Sequence, residues 1–410
     1  MSEENKKEKT KEEKLQDHLK AMSKEFGKES ICYGNTIISV PVLCSTGSLR
    51  LDLAIGIGGI PKGRIIEITG AESSGKTTLT LHLMAECQKN GLVPAFVDAE
   101  HSLDPVWATN IGVNMQKVLL SQPSCGEEAL DIVERHVESG AVDLIIVDSV
   151  SALVPRAELE GDMGDQHMGL QARLMSQALR KLTPKVANSG CVVIFINQIR
   201  HKMQSYKIRG QSVPVETTSG GNALKFYASV RLDTRRAETD KEDDTTGSKY
   251  IRVKVTIKKN KVAPPFKVAL IDIETGVTGH YGFNLIKELV DLGSDYGYIT
   301  KAGSWYSYGD EIMGQGKDNA SQWLINNPEI MKDIKDKIIE KVKAQNSSAI
   351  GSFDAVTQES INYEQKQLES PIDPDEHSNT VTEEGINIKK EQKKRRVVTD
   401  KNDEKKTLKD

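Results

Sequence analysis

Leu15, Leu19, Met22 and Phe26 recur at helical spacing and are followed by Gly27. The pattern predicts a short amphipathic helix with a glycine stop, packed either on the chain's own core or on a neighbouring copy. From about Arg64 to Gln198 the pattern changes. Four apolar runs, Arg64–Ile68, Val93–Val97, Leu144–Val147 and Val192–Ile196, alternate with the helical segments Thr77–Lys89, Glu127–Glu138 and Gly169–Ala187. Near-continuous apolar strands separated by helices predict an α/β architecture with a mostly parallel twisted sheet covered on both faces. Phe226–Leu232 and Tyr250–Lys258 read as strands on either side of the polar turn Asp240–Ser248, an antiparallel extension of the same sheet. Gly279–Lys343 has its own aromatic content (Trp305, Tyr306, Tyr308 and Trp323) and two predicted helices, Phe283–Leu292 and Pro328–Lys343. It reads as a small α+β C-terminal domain.

The ends of the chain lack periodicity. Residues 1–14 are mostly Lys, Glu and polar. From Ala344 the chain is acidic first (Asp373, Asp375, Glu376, Glu383, Glu384) and then basic (Lys389, Lys390, Lys393, Lys394, Arg395, Arg396). Both read as disordered. The expected organisation is therefore an arm at 1–14, a helix and linker for oligomerisation at 15–44, a core at 45–278, the small domain at 279–343 and a charged tail at 344–410.

A length of 410 residues allows two or three domains, and 37% hydrophobic residues suffice for a core. No apolar run reaches the roughly 18 residues of a membrane span, and the Lys/Glu-rich start is not a secretory signal. Five scattered cysteines without a C-x-x-C pair support neither zinc nor disulfides, so the expected location is cytoplasmic. A net charge of -4 excludes a uniformly basic coat, leaving nucleic-acid binding to local basic loops.

Gly70-Ala71-Glu72-Ser73-Ser74-Gly75-Lys76-Thr77, with Thr78 next in the following helix, matches G-x-x-x-x-G-K-[ST]. In that pattern backbone N–H groups turn inward around phosphate oxygens, Lys76 neutralises the outer phosphates and the Thr77 hydroxyl ligates Mg²⁺. The preceding strand and following helix are the right context, and the helix N-terminus adds partial positive charge. Leu144-Ile145-Ile146-Val147-Asp148 is a buried strand ending in a carboxylate, the Walker B arrangement for Mg²⁺. Glu100 follows another strand end and can polarise the attacking water. Asn197-Gln198 follows a third, where a neutral amide senses a γ-phosphate. Singly, these read as a surface acid and loop caps. Convergence of four strand ends on one phosphate site, at the edge where open α/β sheets hold ligands, favours ATP and Mg²⁺ chemistry.

The stretches Ser45–Leu49, Gly70–Leu81, Asp98–Pro105, Val147–Val150, Gly164–Leu170, Ile194–Arg200, Thr217–Leu232, Leu289–Gly293 and Trp305–Tyr308 resemble the bacterial RecA recombinase family. The resemblance covers about residues 15–343. Gly220-Gly221-Asn222-Ala223-Leu224-Lys225-Phe226-Tyr227 is not a stretch that a generic ATPase shares. It implies a RecA-like P-loop core and a DNA-dependent ATPase of homologous recombination and DNA repair. The implied mode of action is a helical filament on single-stranded DNA that pairs it with double-stranded DNA and exchanges strands. It also implies stimulated self-cleavage of LexA-type repressors in the SOS response. By the same resemblance Asp104 and Trp107 border the adenine and Gln198 couples the γ-phosphate to the loop after it. Lys259 and Lys261 reach a neighbour's phosphates, with Phe226 at that interface.

Two segments are expected to leave the sheet at its ligand edge as DNA-binding loops. Glu158–Gly169 carries Met168, whose family counterpart wedges between bases, and is followed by Arg173 and Arg180. Ile199–Asn222 carries Arg200, Lys202, Lys207 and Arg209 against Glu216, and ends in Thr217, Thr218, Ser219, Gly220, Gly221 and Asn222. Long structureless loops there are commonly functional, and small residues admit a phosphate backbone. Residues 201–215 are longer than the family's usual run and lack its Met-Phe-Gly-Asn-Pro. Ile273–Val277 lacks the usual aromatic that covers the base. The rivals are a small-molecule kinase, which would need an acceptor pocket and an Arg-bearing lid, and a RecA-core hexameric helicase-type ATPase, which would form closed rings.

Overall fold

Ile65 and Ile66 are neighbours in one strand and face opposite ways, and the core is organised on that alternation. The structure, a computed structural model, describes residues 10–27, 40–162, 169–208, 211–239, 250–277 and 279–345. In chain order its elements are α1 (Lys11–Phe26), α2 (Leu49–Ile55), β1 (Ile65–Gly70), α3 (Lys76–Lys89), β2 (Pro94–Asp98), α4 (Pro105–Ile111), β3 (Leu119–Ser121), α5 (Gly126–Ser139), β4 (Leu144–Asp148), α6 (Arg156–Leu159) and α7 (Leu170–Ser189). They continue with β5 (Val192–Ile208), β6 (Gln211–Thr218), α8 (Ala223–Tyr227), β7 (Val230–Thr239), β8 (Tyr250–Asn260), β9 (Val268–Thr275), β10 (Tyr281–Phe283), α9 (Leu285–Asp295), β11 (Thr300–Ala302), β12 (Trp305–Tyr308), β13 (Glu311–Gln315), α10 (Lys317–Asn326) and α11 (Pro328–Gln345).

The large sheet runs β10-β9-β8-β7-β1-β5-β4-β2-β3, with β6 on β5. β1, β2, β3, β4, β5 and β7 are parallel to one another. β7 to β10 join antiparallel, as the sequence predicts for the extension. Ile66, Ile68, Ile146, Ile194 and Ile196 form one face with Leu79 and Leu83 of α3. Ile65, Ile145, Val147, Val193 and Phe195 form the other with Val133 of α5 and Met175 and Leu179 of α7.

Several expectations need correction. Helix α1 starts at Lys11, inside the expected arm, because Thr10 and Glu13 form a reciprocal capping box that hydrophobic spacing does not show. No residue of α1 is buried. Phe226 does not open a strand: Asn222 starts the short helix α8, and β7 begins only at Val230. The long loop 199–222 is instead a β-hairpin. β5 continues unbroken to Ile208 and β6 returns antiparallel, from Ile208↔Gln211 down to Ile199↔Thr218. Backbone pairing between the two strands satisfies the groups that a loop would leave to solvent. Asp240–Ser248, Met168 and the tail from 346 lie outside the described residues.

The C-terminal region is α+β as expected, with the separate three-stranded sheet β11-β12-β13, and it contains one helix, α10, beyond the two that the sequence predicts. Its core (Leu289, Val290, Ile299, Leu324, Ile334, Ile338) takes in Leu49 and Leu53 of α2. The contact is also polar. Glu288 accepts from the Arg50 backbone N–H at 2.6 Å and from Ser48 Oγ at 2.8 Å, while Ser48 Oγ accepts from Leu51 N at 3.2 Å. A carboxylate of α9 thus caps the N-terminus of α2, where the helix dipole favours it. Nearby, Asp52 accepts from Ser45 Oγ at 2.5 Å and from Thr46 N and Oγ1 at 2.8 and 2.7 Å. This accounts for the Ser45-Thr46-Gly47-Ser48 run.

Burial pushes both carboxyls up to about 7. An acid whose folded pKa exceeds its unfolded value binds more protons when folded, so these two groups lower stability as pH rises from the ordinary carboxylate range to about 7. Burial holds His82 down at about 3, which acts in the opposite sense below its ordinary value of 6.5. A difference measurement separates the two. Denaturant midpoints of Glu288→Gln, relative to the parent, should improve from pH 5 to pH 8; a flat difference would contradict the assignment.

Candidate functional site

The phosphate-loop pattern lies where parallel β1 meets α3. A Cβ at Gly70 would collide with Thr234 Oγ1 and Ser74 Oγ. Gly75 has φ 82° and no room beside Ile273 Cδ1, 2.7 Å from where a Cβ would be. The loop is tied down by Ser74 Oγ to Thr234 Oγ1 at 2.9 Å, while Ala71, Glu72 and Ser73 are exposed. Lys76 Nζ donates to Ala71 O at 2.7 Å. Burial holds its ammonium below the ordinary lysine value, and Asp148, Glu100 and Glu72 oppose that shift.

Thr77 Oγ1 donates to Asp148 Oδ2 at 2.9 Å. Burial pushes Asp148 up to about 6, against the Thr77 hydrogen bond. One hydroxyl and one carboxylate at a helix N-terminus are hard oxygen donors in small number. They fit Mg²⁺, which takes one or two carboxylates and completes its shell with phosphate and water.

Glu100 is held by its neighbours. Its Oε1 accepts from Gln198 Nε2 at 2.8 Å, from Ser151 Oγ at 3.4 Å and, in a shorter contact, from Ser149 Oγ. Asp98, buried at the end of β2, accepts from Ser102 N at 3.1 Å and Gln122 Nε2 at 3.2 Å and so fixes the turn carrying Glu100. Asp98 and the two serines join the site beyond the residues that the motifs predict; their signal in the sequence is a pair of hydroxyls, Ser149 and Ser151, directly after the Walker B strand. Asn197, expected beside Gln198 at the phosphate, is fully buried and faces the other side of the sheet. Its Nδ2 donates to Glu67 Oε1 and to Ser219 O, both at 3.1 Å.

Asp104 caps α4, accepting from Val106 N at 2.8 Å and Trp107 N at 3.1 Å. The Trp107 indole reaches Thr78 Oγ1 at 3.4 Å and meets Tyr281 edge-on, with ring centroids 5.8 Å apart. Tyr281 thus places an aromatic ring on the side where Ile273–Val277 lacks one. Lys259 pairs with Arg231 near the start of β7, at the end of the strands away from Gly70. Its Nζ donates to the carbonyls of Lys225 and Phe226, both at 2.8 Å. Lys261 and Phe226 are exposed.

Arg173 and Arg180 are exposed on α7 beside a groove of about 690 Å³ that Ser176, Gln177 and Lys181 also line. Arg200 is exposed at the hairpin base opposite Thr217. The return end passes through Thr218 and Ser219 to Gly220 and Gly221, at φ 74° and 75°, and on to exposed Asn222. Gly220 N donates to Gln171 Oε1 at 3.1 Å, and Gln171 Nε2 donates to Val150 O at 2.8 Å. Phosphate edge, α7 and hairpin base therefore share one hydrogen-bonded junction.

A phosphate loop, a Walker B carboxylate and a positioned acid on a mixed α/β sheet define a phosphate-loop ATPase. Comparison with known proteins narrows the class. Residues 13–278 match the RecA N-terminal domain and residues 287–343 the RecA C-terminal domain. Protein RecA of Campylobacter hominis is 53% identical over 351 residues, covering 85% of this chain and 98% of that protein. Protein RecA of Paracoccus denitrificans is 55% identical over 331 residues, covering 80% and 90%. A solved RadB recombinase aligns at 23% identity with TM-score 0.43, over 56% of this chain and 96% of that one, a likeness too slight to argue from. The chain belongs to the RecA family. It is an ATP- and Mg²⁺-dependent, DNA-dependent ATPase of recombination and repair. Among the described residues no helix is long and apolar enough to cross a membrane.

Proposed function

We propose that the protein assembles as a helical filament on single-stranded DNA and catalyses homologous pairing and strand exchange, with ATP held between adjacent copies. The observation that carries this reading is the Glu100–Gln198 hydrogen bond at the root of the basic hairpin. The strand that ends the nucleotide edge continues, without a break, into the proposed DNA-binding element.

In this reading Gly70 to Thr78 cradle the triphosphate, Lys76 neutralises charge, and Asp104 and Trp107 border the base. Thr77 and Asp148 would hold Mg²⁺, which supplies charge neutralisation and phosphate alignment when bound. Glu100 orients and deprotonates the attacking water. Lys259 and Lys261 lie at the far end of the strands from their own phosphate loop, which supports a role on the neighbour's nucleotide. Arg173, Arg180, Arg200 and the Thr217–Asn222 turn contact DNA backbone, leaving sequence to be read by base pairing. Met168 belongs to the same proposal by its family counterpart. We divide the chain into 1–14, 15–44, 45–278, 279–343 and 344–410, with helix α1 reaching back to Lys11; the ends of the two family models at 278 and 343 support the divisions there. Stimulated LexA-type repressor cleavage rests on family membership alone. A cytoplasmic location is supported by the buried free thiols of Cys44, Cys87, Cys125 and Cys191.

Strand exchange tests the reading. Circular single strands and homologous linear duplex should give joint molecules with ATP and Mg²⁺. Unchanged substrates under those conditions would contradict it.

A further inference from the structure

We propose that Asn197, pinned by Glu67, is a second coupling residue, positioning the return end of the DNA hairpin while Gln198 serves the nucleotide edge. The proposal rests on the functional reading above. Consecutive strand residues point to opposite faces, and here the two amides do different work. Gln198 donates to Glu100. Asn197 donates through one Nδ2 to both Glu67 Oε1 and Ser219 O. Both partners are acceptors, so the amide orientation is fixed. Any displacement of this strand end moves the catalytic acid's partner and the hairpin's return end together.

Glu67 makes the tether stiff. It is a fully buried carboxylate on a sheet face otherwise lined by Ile65, Val193 and Phe195. An unpaired charge there would be strongly destabilising. It is held by Asn197 on one oxygen and by Arg231 Nε at 2.5 Å on the other. Arg231 sits opposite Lys259 on β8. A continuous polar path therefore runs from Ser219 through Asn197, Glu67 and Arg231 to the end of the sheet that faces the neighbouring copy in the proposed filament.

The test uses the full-length protein and a fluorescent oligothymidylate, titrated with and without a slowly hydrolysed ATP analogue. Analogue binding without DNA and thermal melting are measured beside it. The parent should bind DNA more tightly with the analogue, by a factor in the range of about 5 to 150. Asn197→Ala should bind the analogue alone nearly as the parent does, yet lose most of that factor. The isosteric Glu67→Gln keeps an acceptor oxygen and should retain an intermediate factor. It carries the test if the truncation unfolds. A merely structural role would lower melting and weaken every binding step alike, leaving the factor intact. A full factor in folded Asn197→Ala, or in Glu67→Gln where the truncation does not fold, overturns the inference. No factor in the parent overturns the functional reading, and the inference with it.

Discussion

Lys76→Ala should reduce DNA-stimulated ATP turnover by at least about 100-fold, the scale on which loss of a single preorganised charge-stabilising donor acts. The loop's other donors are backbone N–H groups, which orient phosphate oxygens without carrying a formal charge. Within the loop itself, Lys76 alone brings a mobile cation to the outer phosphates. In the structure its ammonium donates to Ala71 O, and the charges of Asp148, Glu100 and Glu72 favour its protonated form against the effect of burial. Among the described residues its side chain donates to one exposed loop carbonyl, so removing it should cost stability only about 1 kcal/mol. Phosphate release at saturating single-stranded DNA, with melting as control, checks this. Turnover at the parent rate would mean the phosphate site is misassigned.

Glu100→Gln should slow hydrolysis by about 10²- to 10⁴-fold, the usual worth of a positioned general base, while filaments on DNA persist. The amide is isosteric, and with its carbonyl oxygen in the place of Oε1 it still accepts from Gln198 Nε2. Ser149 and Ser151 can still donate to the remaining carbonyl oxygen. What disappears is the basic oxygen. Single-turnover hydrolysis and electron micrographs with ATP separate chemistry from assembly. Loss of filaments in this variant would make Glu100 a structural residue.

The parallel sheet was legible because Ile65–Ile68, Glu67 apart, and Leu144–Val147 and Val192–Ile196 are apolar on both faces, which only a doubly covered sheet tolerates. The phosphate loop was legible because glycine, lysine and threonine are each required by a different part of the chemistry. The hairpin was not. Residues 199–222 are basic and polar and end in a glycine pair, the composition of a loop, and the pairing that makes them a hairpin is between residues up to 19 apart, Ile199↔Thr218. Helix α8 was hidden for another reason: five residues, Ala223–Tyr227, are too few to show helical periodicity. Asn197 illustrates what one-dimensional spacing misses. It was placed at the phosphate with Gln198 because the two are adjacent, whereas strand geometry sends them to opposite faces. Glu288 and Asp52 were invisible because a buried carboxylate at a helix end reads, in sequence, as one more charged surface residue.

The central claim is that the nucleotide edge controls how firmly the hairpin grips DNA. The most direct measurement is the dissociation constant of the parent protein for a single-stranded oligonucleotide, taken nucleotide-free and again with saturating slowly hydrolysed ATP analogue and Mg²⁺. The account predicts markedly tighter binding in the second condition. Equal constants in the two would contradict it.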